Sequence, residues 1–305
     1  MVSSRSRSSA SSRRPIPLAV AAQPSVVPAG RRVELPGRGT TFVREVQGPA
    51  GAPTIVLLHG LSATGGLNWL WAFEPLGRRY RVVAIDHRGH GRGIRTRRFR
   101  LTDCADDVVA LADVLGLERV VAAGYSMGGP VAQLLWHRHP HRVSGLVLCA
   151  TSRNFRGQPR EQAIFGLMPA ISLAARTAPA PARRMLASRL LDARMPQFPA
   201  REWVMDELRR NDPAAIAEAA AAIGAFSSRE WIGDVDVPTA VVMTTRDRIV
   251  PPHRQQRLAD SIRGATVHPV RGDHGVCVAG RDLFVPALLS ACESVVSRAR
   301  AVSRR

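Results

Sequence analysis

Ser126 lies within Gly124-Tyr125-Ser126-Met127-Gly128-Gly129, between the small and β-branched run Val120–Ala123 and an apolar, helix-like stretch from Pro130 to Trp136. A serine pinched between glycines where a strand folds back into a helix presents its hydroxyl alone at the tip of a sharp turn. Bulkier flanking residues would collide there. The turn also sets the Met127 amide at a helix N-terminus, where an oxyanion could be stabilised. That is the geometry of a nucleophilic serine. Gly60-Leu61-Ser62-Ala63-Thr64 is a near miss of the same pattern, so position along the chain has to decide.

A serine hydroxyl is a poor nucleophile near neutral pH and needs a base, which in turn needs an orienting acid. Of nine histidines, His274 is best placed: it follows the strand-like Ala265–Val270 in the loop Arg271-Gly272-Asp273-His274-Gly275, whose glycines let it reach back over the sheet edge. His59 also ends a strand, but the Gly60 turn after it better serves backbone amides. His137, His139 and His141 have no carboxylate or cysteine beside them in sequence and read as a solvated helix end, not a metal site. For the acid we favour Asp247, at the C-terminal end of Val241–Arg246. Asp234 and Asp236 precede that strand, and the side chain of Asp273 should diverge from its neighbour His274.

The elements that must position these groups alternate. Thr40–Val46, Thr54–Leu58, Arg81–Ile85, Val120–Ala123, Leu146–Cys149, Val237–Met243 and Thr266–Val270 read as strands. Asp103–Leu115 has helical spacing with Gly116 as its stop. This predicts an α/β fold: a mostly parallel central sheet flanked by helices. The alternation breaks over 155–232, which carries several prolines and reads as a set of short helices. Asp212-Pro213 within it opens an alanine-rich helix to Ile223. The expected organisation is a disordered basic extension over 1–31, a core of 32–154 and 233–293, a helical lid of 155–232 over the sheet's C-terminal edge, and a basic tail over 294–305. Four of the chain's seven methionines fall in the lid, which suits an irregular apolar pocket. Trp69, Phe155, Met168 and Trp203 are the candidate pocket residues, with Trp71 beside Trp69.

The formal charge is +19 and every basic residue is arginine. Six arginines lie in residues 1–32 and four in 294–305, with no acid in either stretch. The charge lies partly in the two ends and no nucleic-acid motif accompanies it, so no specific DNA or RNA partner is expected. No apolar run reaches the roughly 20 residues of a membrane span. The scattered Cys104, Cys149, Cys277 and Cys292 read as buried free thiols in a reducing compartment. Ser12-Arg13-Arg14 resembles a twin-arginine export signal, but Pro15 and Pro17 break the apolar stretch after it, so a cytoplasmic location is expected.

Together Leu57-Leu58-His59-Gly60, Asp86-His87-Arg88-Gly89-His90-Gly91, the Ser126 turn, Asp247-Arg248-Ile249-Val250-Pro251 and Gly272-Asp273-His274 resemble, in order and spacing, the α/β-hydrolase fold family, of the esterase, lactonase and non-haem haloperoxidase-like kind. The resemblance runs from about Arg32 to Ala291. It implies the triad order Ser126, Asp247, His274 and an oxyanion hole from the backbone amides of Leu61 and Met127. It further implies cofactor-free cleavage of a small hydrophobic ester or lactone. A C–C bond hydrolase, a haloperoxidase or perhydrolase-like enzyme with the same triad, and a slow-turnover ligand receptor are the alternatives. Serine at 126 argues against the dehalogenases and epoxide hydrolases of this fold, which use aspartate. Arg92 after Gly91 departs from the small polar residue many relatives carry.

Overall fold

The computed structural model describes residues 23–157, 159–179 and 201–303. Eight strands form one sheet: β1 (Gly30–Leu35), β2 (Gly39–Val46), β3 (Thr54–Leu58), β4 (Arg81–Ile85), β5 (Val120–Tyr125), β6 (Val143–Cys149), β7 (Thr239–Thr244) and β8 (Thr266–Val270). Their spatial order is β1-β2-β4-β3-β5-β6-β7-β8. β2 runs antiparallel to both its neighbours, and every pairing from β4 to β8 is parallel. The chain leaves β3 for β4 on one side and returns to β5 on the other. That reversal is the switch point at which open α/β sheets place their ligands.

The described helices are α1 (Gly65–Asn68), α2 (Phe73–Gly77), α3 (Leu101–Val114), α4 (Gly128–Arg138), α5 (Pro159–Thr177), α6 (Arg201–Arg209), α7 (Pro213–Ala225), α8 (Pro252–Asp260), α9 (Val276–Ala279) and α10 (Arg281–Ser303). Side chains alternate across a strand, and the central strands therefore feed two apolar cores. Val56 and Leu58 of β3 join Ala122 of β5 and Leu146 of β6 against α3, α4 and α8. Ile55 and Leu57 join Val121, Val147 and Val242 on the other face, against α2 and α10. On α10 the buried Phe284, Leu288, Ala291, Cys292 and Val295 recur at helical spacing, a stripe that seals the second face.

Several boundaries differ from those expected. Residues 23–31 belong to the fold: Val27 is 3% exposed, and Gln23 and Pro28 accept hydrogen bonds from Arg44. The expected disorder of residues 1–22 falls outside the described residues. The tail expected from 294 is the last stretch of α10, where Val295 is buried and Arg298 donates to Thr239 and Gly264. In the helical insertion, expected to be a set of short helices, α5 runs through Pro169 for 19 residues. Its packing against α7 outweighs the one backbone bond that proline removes. Asp212 caps α7 by accepting from the Ala214 and Ala215 amides. The prolines and methionines expected over 180–200 lie outside the described residues.

At the sheet margins, β1 exposes Arg31, Arg32 and Glu34, while β8 carries Pro269 opposite Met243.

Candidate active site

Ser126 follows β5 with φ +51°, a conformation a non-glycine residue adopts only when its surroundings impose it. The glycines around it are required by contact. A Cβ on Gly124 would lie 2.1 Å from the Gly128 carbonyl oxygen, and one on Gly128 would lie 2.1 Å from that of Leu58. Strand and helix could not otherwise cross this closely. Thr151 donates its hydroxyl to the Ser126 carbonyl at 2.8 Å, and the Ser126 amide donates to Cys149 at 2.9 Å.

His274, in the loop between β8 and α9, brings Nε2 to 2.9 Å from Ser126 Oγ and Nδ1 to 2.7 Å from Asp247 Oδ2. With Asp247 ionised, Nδ1 carries the proton and Nε2 is free to accept from the serine hydroxyl. Two aromatic side chains hold this loop: Tyr125 donates its hydroxyl to the His274 carbonyl, and Trp71 donates Nε1–H to that of Val278, both at 2.8 Å. Asp247 is buried. It accepts from the Thr244 hydroxyl at 2.8 Å and from the Ile249 and Val250 amides at 2.8 and 2.9 Å. Burial pushes its carboxyl up, but the His274 hydrogen bond and charge, with the Val250 amide and Thr244 hydroxyl, hold it below the usual range. Gln255 of α8 braces Thr244 and the Val250 carbonyl.

The loop after β3 faces Ser126 from the other side. Among the described residues neither the Leu61 nor the Met127 amide donates to a protein acceptor. Ser62 adopts φ +61°. The loop is held from below by Asp86, which accepts from Gly65 N at 2.8 Å and Arg92 N at 2.9 Å. From above it is held by the helical insertion. Asn211 donates to the Ser62 carbonyl at 2.7 Å and accepts from Gly91 N at 2.8 Å. Glu207 of α6 accepts from the Thr64 hydroxyl at 2.7 Å and pairs with Arg92 at 2.9 Å. Burial raises Asp86 to about 6 despite its two amide donors.

Glu207 and Asn211 were not singled out from the sequence, and Asp86 entered only within the quoted motif. The sequence marks near this contact were the capping signal at Asp212, one residue beyond Asn211, and the unusual Arg92 after Gly91, which the structure pairs with Glu207.

His59, His87 and His90 form a buried group below the same loop, with rings 4.4 and 5.2 Å from His59. Burial lowers His87 to about 3 and His90 to about 4 and also depresses His59. All three are neutral at ordinary pH, and His59 accepts from the His87 amide at 2.9 Å. His139 has a carboxylate partner that sequence reasoning missed, Asp106 at 2.8 Å, and His137 stacks on Trp231. Among the described residues no three His, Cys, Asp or Glu side chains converge as a metal site.

Trp69 is fully buried, edge-on to Tyr125 and beside Phe284. Trp71 likewise serves the His274 loop. Phe155 and Trp203 are buried, at 7% and 4% exposure, one in each apolar core. Met168 is half-buried on α5.

A hydroxyl, an imidazole and a carboxylate thus form one hydrogen-bonded line at the sheet's switch point, next to two backbone amides without acceptors. The comparisons with known proteins agree with this architecture. A relative from Caulobacter sp. (strain K31), named as a carbamate hydrolase, RutD, is 30% identical over 261 residues, covering 80% of this chain and 92% of its own. The crystal structure of a hydrolase from Pseudomonas aeruginosa PA01 superposes with TM-score 0.73 at 24% identity, covering 86% of this chain and 98% of that one. An enol-lactonase from Burkholderia xenovorans LB400 gives 0.71 at 23%, covering 86% and 99%. With the family model for the alpha/beta hydrolase fold matching residues 53–278, the chain belongs to the α/β-hydrolase fold family.

Proposed function

We propose that the protein hydrolyses a carboxylic ester or lactone through an acyl-enzyme on Ser126, with His274 as general base and Asp247 as its orienting acid. The observation that carries this reading is the pair of contacts made by one imidazole, 2.9 Å to Ser126 Oγ and 2.7 Å to Asp247 Oδ2. As Ser126 Oγ bonds to the substrate carbonyl carbon, His274 Nε2 takes its proton. The carbonyl electron pair moves to oxygen, facing the Leu61 and Met127 amides. Two such donors fixed in a site sheltered from water stabilise that charge, and losing one costs about 3 kcal/mol. When the tetrahedral species collapses, the C–O bond breaks and the alkoxide leaves with the proton from His274. Water, deprotonated by His274, then attacks the acyl carbon and frees the acid and Ser126.

The names of similar proteins support acyl chemistry at a carbonyl: carbamate in one relative, an enol-lactone in another. Phe155, Met168 and Trp203 are the side chains we propose for the apolar acyl pocket.

A fluorophosphonate probe tests the reading. We expect labelling of Ser126, lost in Ser126→Ala, together with turnover of a nitrophenyl ester or a lactone in a panel graded by acyl length. Folded wild-type protein that stays unlabelled would turn the assignment toward a ligand receptor. Labelling without ester or lactone turnover would turn it toward the C–C hydrolase or perhydrolase chemistry the same triad can serve.

A further inference from the structure

A cavity of about 310 Å³ lies at the base of the helical insertion, and none of Ser126, Asp247, His274, Leu61 or Met127 lines it. Its walls come from three places. Ser152, Arg153, Asn154 and Gly157 lead into the insertion. Arg229 lies on the segment leading out. His253, Arg254 and Arg257 lie on α8. The two connecting segments are tied by an antiparallel bridge between Asn154 and Ser227 and by the Ser228 amide donating to Arg153 at 2.8 Å.

Four guanidiniums converge on this space. Only Arg254 is answered by a carboxylate, Glu161 at 2.7 Å. The other cations meet neutral partners: Arg153 donates to Ser261 Oγ at 2.5 Å and Arg229 to Asn154 Oδ1 at 3.3 Å. Among the described residues Arg153, Arg229 and Arg257 have no acidic group within ion-pair distance. Crowding like charges without a counter-charge is unfavourable. Neutral partners that fix two guanidinium planes while leaving their charge intact shape the site for an anion. Gly157 lies against it: a Cβ there would lie 2.5 Å from Arg254 Nη2, so the guanidinium occupies space that a side chain at 157 would contest.

Another arginine-rich cavity, lined by Arg32, Arg92, Arg95 and Arg210, is different in kind. There the buried carboxylate of Glu207 sits 2.9 Å from Arg92 and 3.4 Å from Arg210 and answers their charge from within the protein.

We propose that the cavity of Arg153, Arg229, Arg254 and Arg257 binds a phosphate group, either inorganic phosphate or a small phosphomonoester. Guanidinium forks match phosphate oxygens in charge and plane, and the volume falls at the lower end of the range for small-molecule sites. A phosphate bound there would tie both connecting segments of the insertion to α8, the helix whose Gln255 braces the Asp247 loop.

The test is thermal unfolding and titration calorimetry of the full chain with inorganic phosphate, against sodium chloride at matched ionic strength. About 10 mM phosphate should raise the melting temperature by about 3 °C and bind one per chain with a Kd of about 1 mM. Chloride should do neither. The exposed pair Arg229→Ala with Arg257→Ala should abolish both effects, while Arg95→Ala, in the other cavity, should keep them. Glycerol 3-phosphate binding at least about tenfold tighter than phosphate would identify a phosphomonoester, and equal affinity the inorganic ion. Equal shifts with phosphate and chloride, or a wild-type response from the double variant, would overturn the proposal.

Discussion

Replacing Glu207 by glutamine isolates the charge of a side chain that joins the helical insertion to the loop facing Ser126. The carboxylate is 1% exposed and pairs with Arg92 at 2.9 Å and Arg210 at 3.4 Å. Its field also reaches Arg44, which is 2% exposed and whose Nε has no hydrogen-bond partner. Glutamine keeps the volume and the acceptor for the Thr64 hydroxyl, but leaves three arginines facing one another with Asp86 as their remaining buried counter-charge. Breaking a buried pair by removing one partner costs about 3–5 kcal/mol. At roughly 2–4 °C per kcal/mol, the melting temperature should fall by roughly 6–20 °C. Scanning calorimetry with urea titration measures this. Glu74→Gln is the matched control, because its pair with Arg78 is exposed on both sides and should matter by less than about 0.5 kcal/mol. A melting temperature within about 2 °C of wild type for Glu207→Gln would refute the claim that this buried carboxylate holds the insertion in place.

Asn211→Ala removes the contacts to Ser62 and Gly91; kcat for a nitrophenyl ester should fall at least about tenfold with KM changed less than about threefold, and an equal change in both would point to substrate binding instead. Asp247→Asn should lower kcat by about 10⁴ while circular dichroism stays that of the folded protein; full activity would remove Asp247 from its role. Asp86 has its folded pKa raised to about 6 from 3.8, so between these values the folded state holds a proton that the unfolded chain has lost. Its contribution to stability therefore falls as pH rises through that window. The stability of wild type relative to Asp86→Asn should drop by up to about 3 kcal/mol between pH 4 and 6; a pH-independent difference would contradict this. All four thiols are buried, and burial raises all of them, Cys277 and Cys292 to about 12. Ellman's reagent at pH 8 should find no reactive thiol until the protein is unfolded.

The central strands were legible because burial on both faces leaves an unbroken apolar run, as in Thr54–Leu58, and the Ser126 turn because its glycines have no substitute. β1 was not legible: as a sheet edge it buries only Val33 and Leu35 among charged neighbours, and Gly-Arg-Arg-Val-Glu-Leu lacks the strand signature. α5 was misread because Pro169 argues for a break, and only the packing of α7 against it says otherwise. The burial of Glu207 had no local signal either. Arg201–Arg209 reads as an ordinary surface helix, and the residues that bury its carboxylate, Thr64 and Arg92, come more than a hundred positions earlier.

The two margins of the sheet deny neighbouring molecules a template. Pro269 offers no N–H to an incoming strand, and the arginines and glutamate of β1 would have to be stripped of water for another backbone to lie alongside. Extension of the sheet from one copy to the next is therefore opposed at both margins by the chemistry of the edge strands themselves.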